Sequence, residues 1–276
     1  MKLSCLFIIV IMPLISFCQS ATQIETIARS QAHRFKANFV VNGVNKQSIG
    51  MGFILKGEYF ATCYHLISSP EDGSKAISAY MTYNERFVKG IYKYDSVYLN
   101  INFKLKKGQY DFSKHVYNRN DHSTDFVVLK LKHKINSIEC KFTNSEIESG
   151  DSYISWGNVY EENTGEVYDL FDDKMKFIFP YQNKEGDSAE WYVFKSKAGE
   201  GFSGTPVYNK NGDIVSMVQY GNNKPPLDIL KYLLNRKAID NSCYTDILNG
   251  YKNNERLVYT INVQYLIKTY LYGYIN

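Results

Sequence analysis

From Phe35 onward the chain has one dominant rhythm: short runs rich in β-branched and aromatic residues, each broken by turn residues. Phe39-Val40-Val41 runs into Asn42-Gly43, whose tolerance of positive φ suits a two-residue hairpin turn. Residues 49–55, 59–62, 76–83, 97–105 and 126–131 follow as expected strands. The rhythm resumes at 153–156, 174–179, 191–194, 206–208 and 214–220, with turns such as Lys210-Asn211-Gly212-Asp213 between. Many short strands at this spacing predict an all-β barrel or sandwich. Three segments depart from the pattern. Residues 22–31 have weak helical character, 226–237 carry Leu227, Ile229, Leu230 and Leu233 on one helical face, and 263–272 read as a C-terminal helix. The hydrophilic stretch 106–124 reads as a surface loop ending just before Asp125.

The N-terminus has a different character. Lys2 precedes an uncharged, mostly apolar run from Leu3 to Phe17, and small or polar residues follow through Ala21. A spanning helix needs about 20 apolar residues, and this run is shorter and contains Pro13. Residues 1–20 are therefore expected to be a signal peptide, cut after Cys18 or Ser20, with the product secreted or periplasmic and without a stable membrane span. The remainder, 21–276, is large enough for one domain or two small barrels.

Lys and Arg number 32 against 28 Asp and Glu, a balanced surface that argues against nucleic acid as a partner. The 24 Tyr and 16 Phe are spread along the whole chain, as strand and core residues would be. Cys63, Cys140 and Cys243 lie far apart without metal-ligand spacing, which permits one disulfide with a free thiol, or none. No metal or organic cofactor is implied.

Three segments carry chemistry. Gly201-Phe202-Ser203-Gly204-Thr205-Pro206 flanks a serine with glycines that permit a tight turn, with the backbone N–H groups of Gly201 and Ser203 as candidate oxyanion donors. His65 follows the β-run Tyr59 to Thr62 and precedes an apolar turn, unlike His33, His115, His122 and His133 in their polar settings. Asp125 opens Phe126-Val127-Val128-Leu129, where a carboxylate can be desolvated and fixed; Asp121 is the alternative acid. A serine made nucleophilic by an imidazole, itself oriented by an acid, is the requirement for acyl transfer at neutral pH.

These three segments resemble the catalytic blocks of trypsin-like serine peptidases. Ala61-Thr62-Cys63-Tyr64-His65 is similar to the family's Thr-Ala-x-His block, Asp125-Phe126-Val127-Val128-Leu129 to its Asp-x-Ala-x-Leu strand, and the Ser203 segment to its Gly-x-Ser-Gly-x-Pro block. Separations of 60 and 78 residues fit that family. The resemblance implies two six-stranded antiparallel barrels of the chymotrypsin type, over about 30–140 and about 145–276, with a terminal helix and a helical insertion at 222–255. It implies a protein or peptide substrate and a His65, Asp125, Ser203 triad. It places Ser216 near the acid, with Met217 and Val218 lining the substrate groove, and Val218 favouring a small residue before the cleaved bond. Lys197 and Glu200 are expected to face solvent.

Phe202 stands where animal digestive members carry an activating Asp, so the likeness is to the bacterial branch, including HtrA-like and glutamyl-endopeptidase-like enzymes, here with no PDZ domain expected after the terminal helix. A non-catalytic binding module on the same fold is the competing expectation. An esterase is disfavoured because Thr205 replaces the second glycine of a nucleophile elbow.

Overall fold

Asn42 and Gly43 turn the chain with φ of 51° and 78°, the paired positive values that a type I′ hairpin requires. They join β1 (Ala32–Val41) to β2 (Val44–Leu55), paired from Val41 opposite Val44 back to Ala32 opposite Phe53. The computed structural model describes residues 22–68, 74–88, 91–101, 125–143, 147, 151–161, 166–182 and 190–267. The expected signal peptide, the loop at 106–124, the last residues of the strand expected at 97–105 and the helix end beyond 267 lie outside the described residues.

β3 (Tyr59–Thr62), β4 (Ser78–Val88), β5 (Ile91–Asn100) and β6 (Val127–Leu131) complete a first closed barrel in the order β1-β2-β3-β6-β5-β4. β7 (Ser152–Glu161), β8 (Glu166–Gln182), β9 (Glu190–Ser196), β10 (Pro206–Tyr208), β11 (Ile214–Gly221) and β12 (Arg256–Asn262) close a second, in the order β10-β11-β12-β9-β8-β7. All strand pairs are antiparallel. The expected fold class, two six-stranded chymotrypsin-type barrels, is the observed one.

Strand alternation explains the packing. In β1, Phe35, Ala37, Phe39 and Val41 are buried while their neighbours are more exposed. Phe35 stacks on Phe60 of β3 at 5.7 Å between ring centres. The largest core does not stop at the first barrel: Ile154, Trp156, Tyr208, Ile214, Met217 and Ile261 of the second join it. A separate core fills the second barrel around Met175, Phe177, Phe194 and Phe202.

Helices cap this arrangement. α1 (22–31) buries Ile24 and Ala28 in the shared core. The insertion contains α2 (Leu227–Asn235), as expected, and also α3 (Asn241–Lys252), which the sequence pattern did not indicate. α3 starts where the Asp240 side chain accepts from the Cys243 N–H at 2.7 Å, an N-cap that substitutes for a weak apolar face. α4 (Val263–Leu266) begins the predicted terminal helix, with Asn262 as its cap. Cys63, Cys140 and Cys243 are all free thiols.

His33 of β1 is buried, its Nε2 lacks a hydrogen-bond partner among the described residues, and burial lowers its pKa to about 4 against the pull of a hydrogen bond to the Thr82 backbone. The folded state thus prefers the neutral ring. Its contribution is present above the ordinary pKa of 6.5 and lost as pH falls towards about 4. We expect this to remove roughly 3 kcal/mol of unfolding free energy between pH 7 and pH 4. Denaturant unfolding of His33→Gln at both pH values should show a correspondingly smaller loss.

Candidate active site

His65 owes its position to the end of a strand. β3 stops at Thr62, whose hydroxyl donates to the Met51 carbonyl at 2.6 Å, and one turn of 3-10 helix follows at Tyr64–Leu66. Tyr64 and Leu66 are buried, so the turn leaves His65 at the surface of the seam between barrels. β6 pairs with β3, Val127 lying opposite Thr62, and this register carries Asp125 alongside His65. The contact is two-point. Asp125 Oδ2 lies 2.7 Å from His65 Nδ1, and Oδ1 accepts the His65 main-chain N–H at 2.9 Å. Asp125 is 5 % exposed.

A carboxylate at Nδ1 fixes the proton there and makes Nε2 the basic nitrogen of the ring. Burial pulls the His65 pKa down, but the charge and hydrogen bond of Asp125 outweigh it and hold the ring above its ordinary value.

The serine segment is pinned from behind. Buried Asp172 of β8 accepts from the Ser196 hydroxyl at 2.6 Å and from the Lys197 N–H at 2.8 Å, and the Ser196 oxygen accepts in turn from the Ala198 N–H. Beyond it the backbone turns at Gly201 and Gly204, with φ of 91° and 88°. The N–H groups of Phe202, Gly204 and Thr205 bond to the carbonyls of Gly199, Val218 and Phe202. Those of Gly201 and Ser203 have no partner among the described residues. The Glu200 carbonyl accepts from the Tyr160 N–H at 2.8 Å, so in a planar trans peptide the Gly201 N–H points away from β7. Two adjacent, unspent donors flanking Phe202 are what an oxyanion would meet. Phe202 itself is buried in the second barrel's core.

Ser203 is tied to both barrels. Its carbonyl accepts from the Met51 N–H at 2.8 Å, and its hydroxyl donates to the Gln219 carbonyl at 3.0 Å. Gln219 was not singled out by its sequence context, yet its side-chain amide also donates to the Asp125 carbonyl at 3.1 Å. The cause is a bulge: Val218 pairs with Thr260 and Tyr220 with Tyr259, leaving Gln219 as the extra residue. Bulges re-aim groups beside active sites.

This bulge corrects the expected use of β11. Ser216 lies opposite Asn262 and Val207 with its hydroxyl buried and without a hydrogen-bond partner among the described residues, while Gln219 reaches the Asp125 main-chain carbonyl. Met217 is fully buried in the core between the barrels instead of lining a groove. Val218 does line a cavity beside Ser203, together with Tyr220 and Gly221. Lys197 and Glu200 are exposed.

Cys63, His65 and Asp125 bring potential ligand atoms within 4.8 Å of one another. Their hydrogen bonds already use them. Burial, then the Asp125 charge, pushes the Cys63 thiol well above its ordinary pKa, and it donates to the Val218 carbonyl at 3.3 Å. A protonated thiol is a poor metal ligand.

No protein-family model matches the sequence, and no curated protein sequence matches it. Solved structures do share the fold. The active form of the Rv3671c protease from M. tuberculosis is 12% identical with a TM-score of 0.51, covering 92% of this chain and 84% of that one. The thermostable serine protease AL20 from an extremophilic microorganism is 14% identical with a TM-score of 0.52, covering 90% of this chain and 98% of that one. The fold is therefore that of the trypsin-like serine proteases.

A Cβ on Gly204 would lie 1.9 Å from the Met51 carbonyl oxygen, at a φ that side chains rarely adopt. Gly204→Ala should cost about 2–4 kcal/mol, from strain and overpacking together. Thermal unfolding should show the drop, and any folded fraction should have a displaced Ser203 segment.

Proposed function

We propose that the protein is an exported serine endopeptidase that cleaves peptide bonds through an acyl-enzyme. The observation carrying this reading is the two-point hold of buried Asp125 on His65, which prepares Nε2 as a base at the seam where Ser203 sits. The fold shared with serine proteases and the unspent Gly201 and Ser203 donors support it. Export is proposed from the apolar run Leu3 to Phe17. Among the described residues no helix is long and apolar enough to cross a membrane.

In this mechanism the Ser203 hydroxyl leaves the Gln219 carbonyl and gives its proton to His65 Nε2 as its oxygen bonds to the substrate carbonyl carbon. The carbonyl oxygen, now negative, takes hydrogen bonds from the Gly201 and Ser203 N–H groups. His65 returns the proton to the departing amine, the peptide C–N bond breaks, and water repeats the sequence to release the acid. Asp125 orients the ring and stabilises its transient charge. One contact favours the non-catalytic alternative: the Ser203 hydroxyl donates to the Gln219 carbonyl at 3.0 Å. The serine proton must leave that carbonyl before it can pass to His65, and catalytic hydrogen bonds are often well formed only in the substrate complex.

A fluorophosphonate probe should label the protein and fail to label Ser203→Ala; equal labelling of the variant would exclude Ser203 as the nucleophile. Because protonated His65 is inactive, kcat/KM should fall as pH drops through a pKa above the ordinary value of 6.5. Asp125→Asn should lower kcat/KM by ~10³–10⁴-fold at neutral pH and move any remaining acid limb to lower pH, measurable in a pH–rate profile.

A further inference from the structure

A cavity of about 170 Å³ opens beside Ser203, between the Ala198–Ser203 segment and the end of β11. Buried Ala198, Val218 and Val258 form apolar parts of its lining. Arg256, the first residue of β12, also lines it. A Cβ on Gly221 would lie 3.3 Å from Arg256 Cδ, and one on Gly199 would lie 3.9 Å from its Cζ. The arginine therefore occupies the gap between the two backbones that border the cavity, and glycine at both positions leaves it room.

The charge of Arg256 is not neutralised where it stands. Its Nη1 donates to the Asn223 side-chain oxygen at 2.6 Å, a neutral acceptor, and among the described residues it forms no ion pair. A guanidinium has five N–H donors, and its planar fork matches a carboxylate. Glu200 also lines the cavity, but it is exposed, where solvent screens its charge, whereas Arg256 is half-buried. Ser203 itself lines the cavity, so it adjoins the Gly201 and Ser203 N–H groups, and the substrate residue whose carbonyl those groups would hold is the one with its side chain beside it.

Resting on the peptidase reading above, we propose that Arg256 makes the enzyme select an acidic residue immediately before the scissile bond. This differs from the small residue expected from Val218. The apolar lining takes the methylene groups of the substrate side chain, and the guanidinium takes its carboxylate.

Fluorogenic peptides identical except for Glu, Asp, Gln, Leu or Lys before the cleaved bond test this directly. The Glu peptide should exceed the isosteric Gln peptide in kcat/KM by about tenfold or more. Arg256→Gln, with its fold checked by thermal unfolding, should bring that ratio close to one. Should this variant not fold, Arg256→Lys keeps the charge but loses the fork, and the ratio should fall several-fold. Equal or faster cleavage of the Gln, Leu or Lys peptides by the unaltered protein, or a ratio unmoved by a folded variant, overturns the proposal. Probe labelling of Ser203 without cleavage of either acidic peptide overturns the acidic preference and leaves the peptidase reading standing. Absence of both labelling and cleavage overturns both.

Discussion

Asp125 makes its contacts with groups that come from two separate parts of the chain, and each contact fixes something different. Its carboxylate takes the ring and the main-chain N–H of His65, while its carbonyl takes the side chain of Gln219 from the other barrel. The charge would be costly to bury alone. Two donors from His65 satisfy it, and the ring is fixed in one tautomer as a result. The position of Asp125 depends in turn on the pairing of β6 with β3, because a slip of one residue would reverse every side chain along β6. The apolar run Val127–Leu129, buried throughout, holds that register.

The second barrel contributes rigidity to the serine. Asp172 fixes the start of the segment and Gly204 its end, where backbone from the two barrels comes too close for a side chain. Between these anchors every N–H from Phe202 to Thr205 is engaged except that of Ser203, and the Gly201 N–H is turned outward by the bond its peptide makes to Tyr160. The unspent donors are thus a consequence of how their neighbours are bonded, and they need no reorganisation to meet a developing charge.

Much of this was legible in the sequence because it is local. Asn42-Gly43 specifies its turn, Gly201 and Gly204 mark positions of positive φ, and His65 and Asp125 each stand beside an apolar run that fixes a strand. What stayed hidden depends on partners distant in sequence. Gln219 acquires its role from a bulge against β12, which the resemblance to the family's groove strand, placing Ser216 near the acid and Met217 in the groove, did not reveal. Asp172 sits among ordinary acidic residues in the long strand β8, and only folding brings it to Ser196. α3 has a mixed polar sequence, and it is held by its cap and by Lys195 of β9, which lies 2.7 Å from Asp246.

The arrangement of the cores limits how such a site can move. Phe35, Phe53 and Met81 of the first barrel share one buried cluster with Tyr208, Met217 and Ile261 of the second. Opening the seam would expose that apolar surface, at a cost of roughly 25 cal/mol per Å², and would pull Ser203 from Met51 and Gln219 from Asp125. The barrels therefore behave as one packed body around the site. The insertion helices are attached differently: Leu230, Leu233 and Ile247 pack with Trp191 and Tyr259 in a cluster of their own. Tyr220 near the end of β11 packs against that cluster and also lines the cavity beside Ser203, so α2 and α3 support the rim of that cavity and not the His65–Asp125 contact.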